Sequence, residues 1–146
     1  MKILVLHGPN LNLLGTREPE TYGNESLEDV RTALQAAAER LGVSVDHVHA
    51  NGEGDLVDAI QHAAGNSYAG VLLNGGAYTH SSIALLDALR GTDIPCVEVH
   101  VSNPSSRERY RWRSLISRSA VGQVCGFGVD SYRLALEGLV GSLRHG

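Results

Sequence analysis

Short apolar runs alternate with amphipathic helical stretches along the chain, and that alternation restricts the fold more than any other feature. Ile3 to Leu6 is a continuous apolar run, the pattern of a strand buried on both faces. Further strands are predicted over Val43–Val48, Gly70–Leu73, Cys96–Val101 and Val121–Cys125. Ser26 can cap a helix running to about Leu41, with Leu27, Val30, Leu34 and Leu41 at helical spacing and Gly42 as its stop. A second helix is predicted from Asp55 to about Ala64, with Leu56, Ile60 and Ala63 on one face. A third runs from Ser82 to Leu89 with Ile83, Leu86 and Leu89 turned inward, and a last from about Ser131 to Leu143. Five strands alternating with helices specify an α/β domain built on a parallel sheet. For 146 residues the matching arrangement is a flavodoxin-like three-layer sandwich with strand order 2-1-3-4-5. No repeat, low-complexity tract or linker interrupts the pattern, so a single domain is expected over residues 1–146.

Composition then removes several classes of function. A net charge of -4 is the opposite of a nucleic-acid footprint. No apolar run approaches the ~20 residues of a membrane span, and no basic leader with a cleavage site opens the chain. A soluble, cytoplasmic protein is expected, with neither membrane nor nucleic acid as partner. Cys96 and Cys125 form neither a disulfide framework nor a metal-spaced pair. His47, His49, His62 and His145 lack ligand spacing and read as surface or strand residues, so no metal is expected. Neither a dinucleotide fingerprint, a phosphate-binding loop nor a serine elbow is present. Lys2 is the only lysine.

The polar residues concentrate where an open parallel sheet binds ligands, at the carboxyl ends of its strands. These clusters are His7 to Asn12, Asn74 to His80 and Glu98 to Asn103, remote in sequence but convergent on one edge in the expected fold. Glu98 and His100, two apart on a strand, point to the same face. A carboxylate there can fix the imidazole tautomer and raise its pKa to make a general acid, although a purely structural hydrogen bond fits the pair equally. The stretch from Gly8 to Glu25 is too long for an idle connection and reads as a functional loop or lid. It carries Arg17 and Tyr22; a tyrosine beside cations can become a base, whereas most loop tyrosines are merely exposed. Asn74 and His80 flank a Gly-Gly turn that would offer backbone N–H groups to an anion at the start of the next helix, unless it is an ordinary turn with Ser81 or Ser82 as cap. Of Arg107, Arg109, Arg111, Arg113 and Arg118, one is expected to reach the site. Tyr110 and Trp112 read as packing or interface residues, and His7 as a support for the site.

The run Gly8-Pro9-Asn10-Leu11-Asn12-Leu13-Leu14-Gly15, with Arg17-Glu18-Pro19 and Tyr22-Gly23, closely resembles the type II 3-dehydroquinate dehydratases. The resemblance continues through Asn51, Glu53-Gly54, Gly76-Ala77-Tyr78-Thr79-His80 and Glu98-Val99-His100-Val101-Ser102-Asn103. It extends to Arg107-Glu108, Arg111, Ser114 and Gly126-Phe127-Gly128, covering nearly the whole chain in order. It implies loss of water from 3-dehydroquinate to give 3-dehydroshikimate with no metal or organic cofactor. By the same resemblance Tyr22 abstracts the C2 proton, Arg17 lowers the pKa of Tyr22, and Asn10 holds a water against the enolate oxygen. His100, oriented by Glu98, protonates the departing hydroxyl. Asn74 and the backbone at Val101 and Ser102 bind the carboxylate, His80 and Arg111 the ring hydroxyls. Asp87 serves a neighbouring subunit's site within a homododecamer of four trimers.

The residues agree on one point independently. The other route to this reaction uses a lysine Schiff base, and Lys2 opens a buried strand at the edge opposite the expected site. An enolate route needs a base, an acid and an oxyanion partner, all of which are present. Gly75 replaces a frequent proline, Leu86 a frequent arginine, and Trp112 a basic residue or histidine; Pro104-Ser105-Ser106 is also atypical. None of these departures removes a catalytic role. The competing reading is a non-enzymatic flavodoxin-like module for a small acid or nucleotide, which would not require the acid and base set. A phosphorylated receiver domain would need an aspartate where strand 3 ends in Asn74.

Overall fold

The computed structural model describes residues 1–16, 20 and 24–146. Strands β1 (Lys2–His7), β2 (Ser44–His49), β3 (Gly70–Asn74), β4 (Cys96–His100) and β5 (Gly122–Cys125) form one sheet in the order β2-β1-β3-β4-β5. Every pairing is parallel. The flavodoxin-like order expected from the pattern is the observed one. Helices α1 (Leu27–Leu41) and α4 (Asp130–His145) pack together on one face of the sheet, α2 (Glu53–Gly65) and α3 (Ile83–Thr92) on the other.

Strand alternation divides the core between those faces. Ile3, Val5, Leu72, Val97 and Val99 meet Val30, Leu34, Leu136 and Leu139 of α1 and α4. Leu4, Leu6, Val71, Leu73 and Cys96 meet Leu56, Ile60, Leu85 and Leu89 of α2 and α3. Each fully buried large side chain contributes about 1.5–3 kcal/mol by leaving water. Glu98 and His100 share the second face with Cys96, so a carboxylate–imidazole pair interrupts an otherwise apolar layer.

The helix signals worked locally. Ser26 accepts from Asp29 N–H while Asp29 accepts from Ser26 N–H, a capping box, and Gly42 ends α1 with a left-handed φ of 71°. Two expectations fail. Ile83 is 63% exposed, and the inward face of α3 is Leu85, Leu86, Ala88 and Leu89. Ile83 is the first residue after the Ser82 cap, and at that position its side chain stays in solvent. The Gly-Gly turn does not open α3 either. It leads into a 3-10 turn over Gly76–His80, and α3 begins only after Ser82, whose hydroxyl accepts from Leu85 N–H at 2.9 Å. Any anion donors in the Gly turn are therefore backbone groups of a short turn, without the dipole of a full helix.

Candidate active site

Glu98 lies in the middle of β4 and is wholly buried. Its carboxylate takes Nε2 of His100 at 2.6 Å, the Ser114 hydroxyl at 2.7 and 2.9 Å, and Nε2 of Gln123 at 3.0 Å. Burial alone would favour the neutral acid. Hydrogen bonds from His100, Ser114 and Gln123 outweigh it and hold the carboxyl below the usual carboxylate range. With Nε2 committed to an anion, Nδ1 is the imidazole nitrogen left to exchange a proton. The strand end is pinned as well: the carbonyls of His100 and Val101 accept from Gly126 N–H at 3.2 Å and Gly128 N–H at 3.0 Å. Gly126 sits at a φ of 97°, and a Cβ there would stand 3.3 Å from that of Asn103.

Seven of the expected site residues line a single cleft at the carboxyl ends of β1, β3 and β4: Asn10, Asn74, His80, His100, Val101, Ser102 and Arg111. Asn10 holds a left-handed φ of 69° and donates its N–H to Oδ1 of Asn51 at 3.0 Å. Tyr78 braces the same residue by donating to the Asn51 carbonyl at 2.8 Å. Close approach of β1 to β3 depends on Gly8, whose N–H meets the Asn74 carbonyl at 2.8 Å. A Cβ at position 8 would lie 2.8 Å from backbone atoms of Asn74 and Gly75. His80 donates Nδ1–H to the Arg113 carbonyl at 2.7 Å, leaving Nε2 as its acceptor. Burial lowers the His80 pKa by more than the bond to the Arg113 carbonyl raises it, and the nearby Arg111 guanidinium adds to the lowering. Arg111 pairs with Glu108 at 3.0 Å.

Arg17 and Tyr22 lie outside the described residues. Asp87 is exposed on α3 and is not part of the cleft. Lys2 stands at the other end of β1, its Nζ 4.2 Å from the centre of the Tyr68 ring. Tyr110 and Trp112 do not pack into this chain's core, being 69% and 57% exposed, although the Trp112 indole donates to the Arg107 carbonyl at 2.9 Å. The structure also brings in residues that sequence reasoning did not single out. Arg107, one of five candidate arginines, lines the cleft and donates to the Ser102 hydroxyl at 3.4 Å. Gln123 and Tyr132 were not anticipated because their partners Glu98 and Asn74 are 25 and 58 residues away. Among the described residues, no cluster of histidine, cysteine and acidic side chains could hold a metal ion. Nor, among them, is any helix long and apolar enough to cross a membrane.

The fold and cleft together define a class: a flavodoxin-like α/β protein with a buried carboxylate–imidazole pair at its strand ends, beside amide and guanidinium donors suited to an oxygen-rich acid. Comparison with known proteins narrows it. The family model for class II dehydroquinase matches residues 1–140. The chain is 52% identical over 144 residues to the 3-dehydroquinate dehydratase of Prochlorococcus marinus (strain NATL1A), covering 99% of each. It is 55% identical over 141 residues to that of Ruegeria pomeroyi, covering 97% of this chain and 94% of the relative. The crystal structure of a type II dehydroquinase from Butyrivibrio crossotus superimposes with a TM-score of 0.93 at 41% identity, over 95% of this chain and 97% of that one. The chain belongs to the class II dehydroquinases, the type II 3-dehydroquinate dehydratases, which are hydro-lyases of the shikimate pathway.

Proposed function

We propose that the chain removes water from 3-dehydroquinate through an enolate, without metal or organic cofactor, to give 3-dehydroshikimate. Tyr22, its pKa lowered by Arg17, takes the C2 proton, and Asn10 holds a water that donates to the enolate oxygen. His100 then gives a proton to the leaving hydroxyl, with Glu98 stabilising the imidazolium. Asn74 and the backbone N–H groups at Val101 and Ser102 take the carboxylate. His80 and Arg111 take the ring hydroxyls. The observation that carries this reading is the 2.6 Å contact between Glu98 and His100 at the edge of a cleft that also holds Asn10, Asn74, His80 and Arg111. A carboxylate held ionised in the core by Ser114 and Gln123 is placed to stabilise an imidazolium at His100, a catalytic reason for a buried charge.

In this reading residues 1–146 act as one catalytic domain in the cytoplasm, within a homododecamer of four trimers in which Asp87 completes a neighbour's site. The exposed position of Asp87, outside its own cleft, supports that assignment. Metal-stripped protein mixed with 3-dehydroquinate is expected to generate the ultraviolet absorbance of a conjugated enone. Absence of that signal at high enzyme concentration would overturn the proposal.

A further inference from the structure

Beneath the cleft, a line of polar side chains crosses the apolar layers without reaching the reacting atoms. Asn74 is 3% exposed, and His7 and Tyr132 are fully buried. The Gly76 N–H donates to Oδ1 of Asn74 at 3.1 Å, and Nδ2 of Asn74 lies 3.0 Å from the Tyr132 hydroxyl. That hydroxyl lies 3.4 Å from Nδ1 of His7, and Nε2 of His7 is 3.0 Å from Nδ1 of His47. The His7 and His47 rings stack with centroids 5.3 Å apart.

One end of this line sets every proton in it. A backbone N–H can only donate, so the atom of Asn74 facing Gly76 is the oxygen and the atom facing Tyr132 is the NH2. Tyr132 oxygen therefore accepts, and its own proton goes to Nδ1 of His7. His7 must then be neutral and protonated at Nε2, which donates to Nδ1 of His47. Burial agrees with that state, since it presses the His7 pKa down to about 3 and that of His47 to about 4.

We infer that Tyr132, held by neutral His7, is a positioning residue that locks the Asn74 amide with its second Nδ2 proton directed at the substrate carboxylate. This rests on the assignment of Asn74 to that carboxylate. In the opposite amide orientation Asn74 would present an oxygen to an anion, turning an attraction into a repulsion. Without the Tyr132 hydroxyl one buried Nδ2 proton loses its acceptor, and the rotation that removes it from the buried site competes with substrate binding.

Tyr132→Phe keeps the ring and removes only the hydroxyl. The expected result is a rise in KM for 3-dehydroquinate of roughly tenfold, with kcat changed by less than about threefold, because Asn74 does not touch the reacting atoms. His7→Leu, which removes the acceptor for the Tyr132 proton, is expected to raise KM in the same way. His7→Asn, whose Oδ1 takes the place of Nδ1, is expected to restore it. In Asn74→Ala the additional Tyr132→Phe change should raise KM no further, since Tyr132 acts only through Asn74. If Asn74→Ala raises KM while Tyr132→Phe does not, the positioning role is refuted and the carboxylate assignment stands. If Asn74→Ala leaves KM unchanged, the carboxylate assignment fails, and this inference with it. A Tyr132→Phe protein that melts early and loses kcat and KM together would show a structural role and refute positioning.

Discussion

Nε2 of His100 stands 2.6 Å from Oε2 of Glu98, with 8% and 1% of their side chains exposed. At that distance and burial the carboxylate acts as a fixed electrostatic partner, since Ser114 and Gln123 leave it no alternative orientation. Glu98→Gln keeps the volume but puts an amide where donors from three sides converge. Turnover is expected to fall by about 10²–10⁴, the usual contribution of a positioned acid, with KM nearly unchanged. Steady-state kinetics beside His100→Ala checks this. Comparable losses in both variants identify one unit, whereas wild-type turnover in Glu98→Gln would reduce the contact to packing.

The buried histidines make stability depend on pH. Burial first, then the nearby His47, Arg31 and His49, press the His7 pKa from 6.5 to about 3. Burial and Arg31, opposed by Asp46, bring His47 to about 4. The unfolded chain therefore binds more protons between those values and pH 6.5. The stability contributed is fully present above 6.5 and is lost as pH falls through that window, by about 1.4 kcal/mol per pH unit for His7. The partly exposed His47 adds less because solvent screens it. Glu98 acts in the same direction at lower pH: its depressed pKa contributes stability above the ordinary carboxylate range, lost as pH falls through the folded value. Urea midpoints are expected to decline from pH 7 to pH 4, less steeply in His7→Asn. A flat profile would mean that His7 takes up its proton in the folded state.

Asp87 offers a test of shared sites. Tyr22→Phe and Asp87→Asn are each expected to be poorly active alone and to recover activity when refolded together. Some sites would then draw an intact Tyr22 from one chain and an intact Asp87 from the next. Activity no higher than the parental average, in an assembly shown to be mixed, would assign Asp87 to its own chain or to none.

Much of this was legible in the sequence because the signals are local or topological. Apolar runs and caps locate the strands and helices, and a parallel sheet carries Asn10, Asn74 and His100 to one edge whatever the details of packing. Departures from the family pattern also find local reasons. At Gly75 the ends of Ile116 and Thr79 come within 2.6 Å of where a Cβ would be, filling the space of a larger residue. Leu86, in place of arginine, is buried on α3. What stayed hidden is long-range. Gln123 meets Glu98 only once β5 has paired with β4, Tyr132 meets Asn74 only once α4 has packed, and Ser114 reaches Glu98 from 16 residues further along the chain. Ile83 satisfies the helical apolar period yet faces out, since periodicity does not say where a helix ends against its sheet.

The central claim is a stepwise reaction in which Tyr22 makes an enolate and His100, held by Glu98, expels the hydroxyl. Exchange of the C2 hydrogen of 3-dehydroquinate in deuterated water, followed by proton NMR, separates those steps. In His100→Ala the account predicts washout of the C2 hydrogen faster than in buffer, with little 3-dehydroshikimate formed, because the base still works and the acid is gone. In Tyr22→Phe it predicts neither washout above buffer nor product. Washout in Tyr22→Phe together with its absence in His100→Ala would contradict the account.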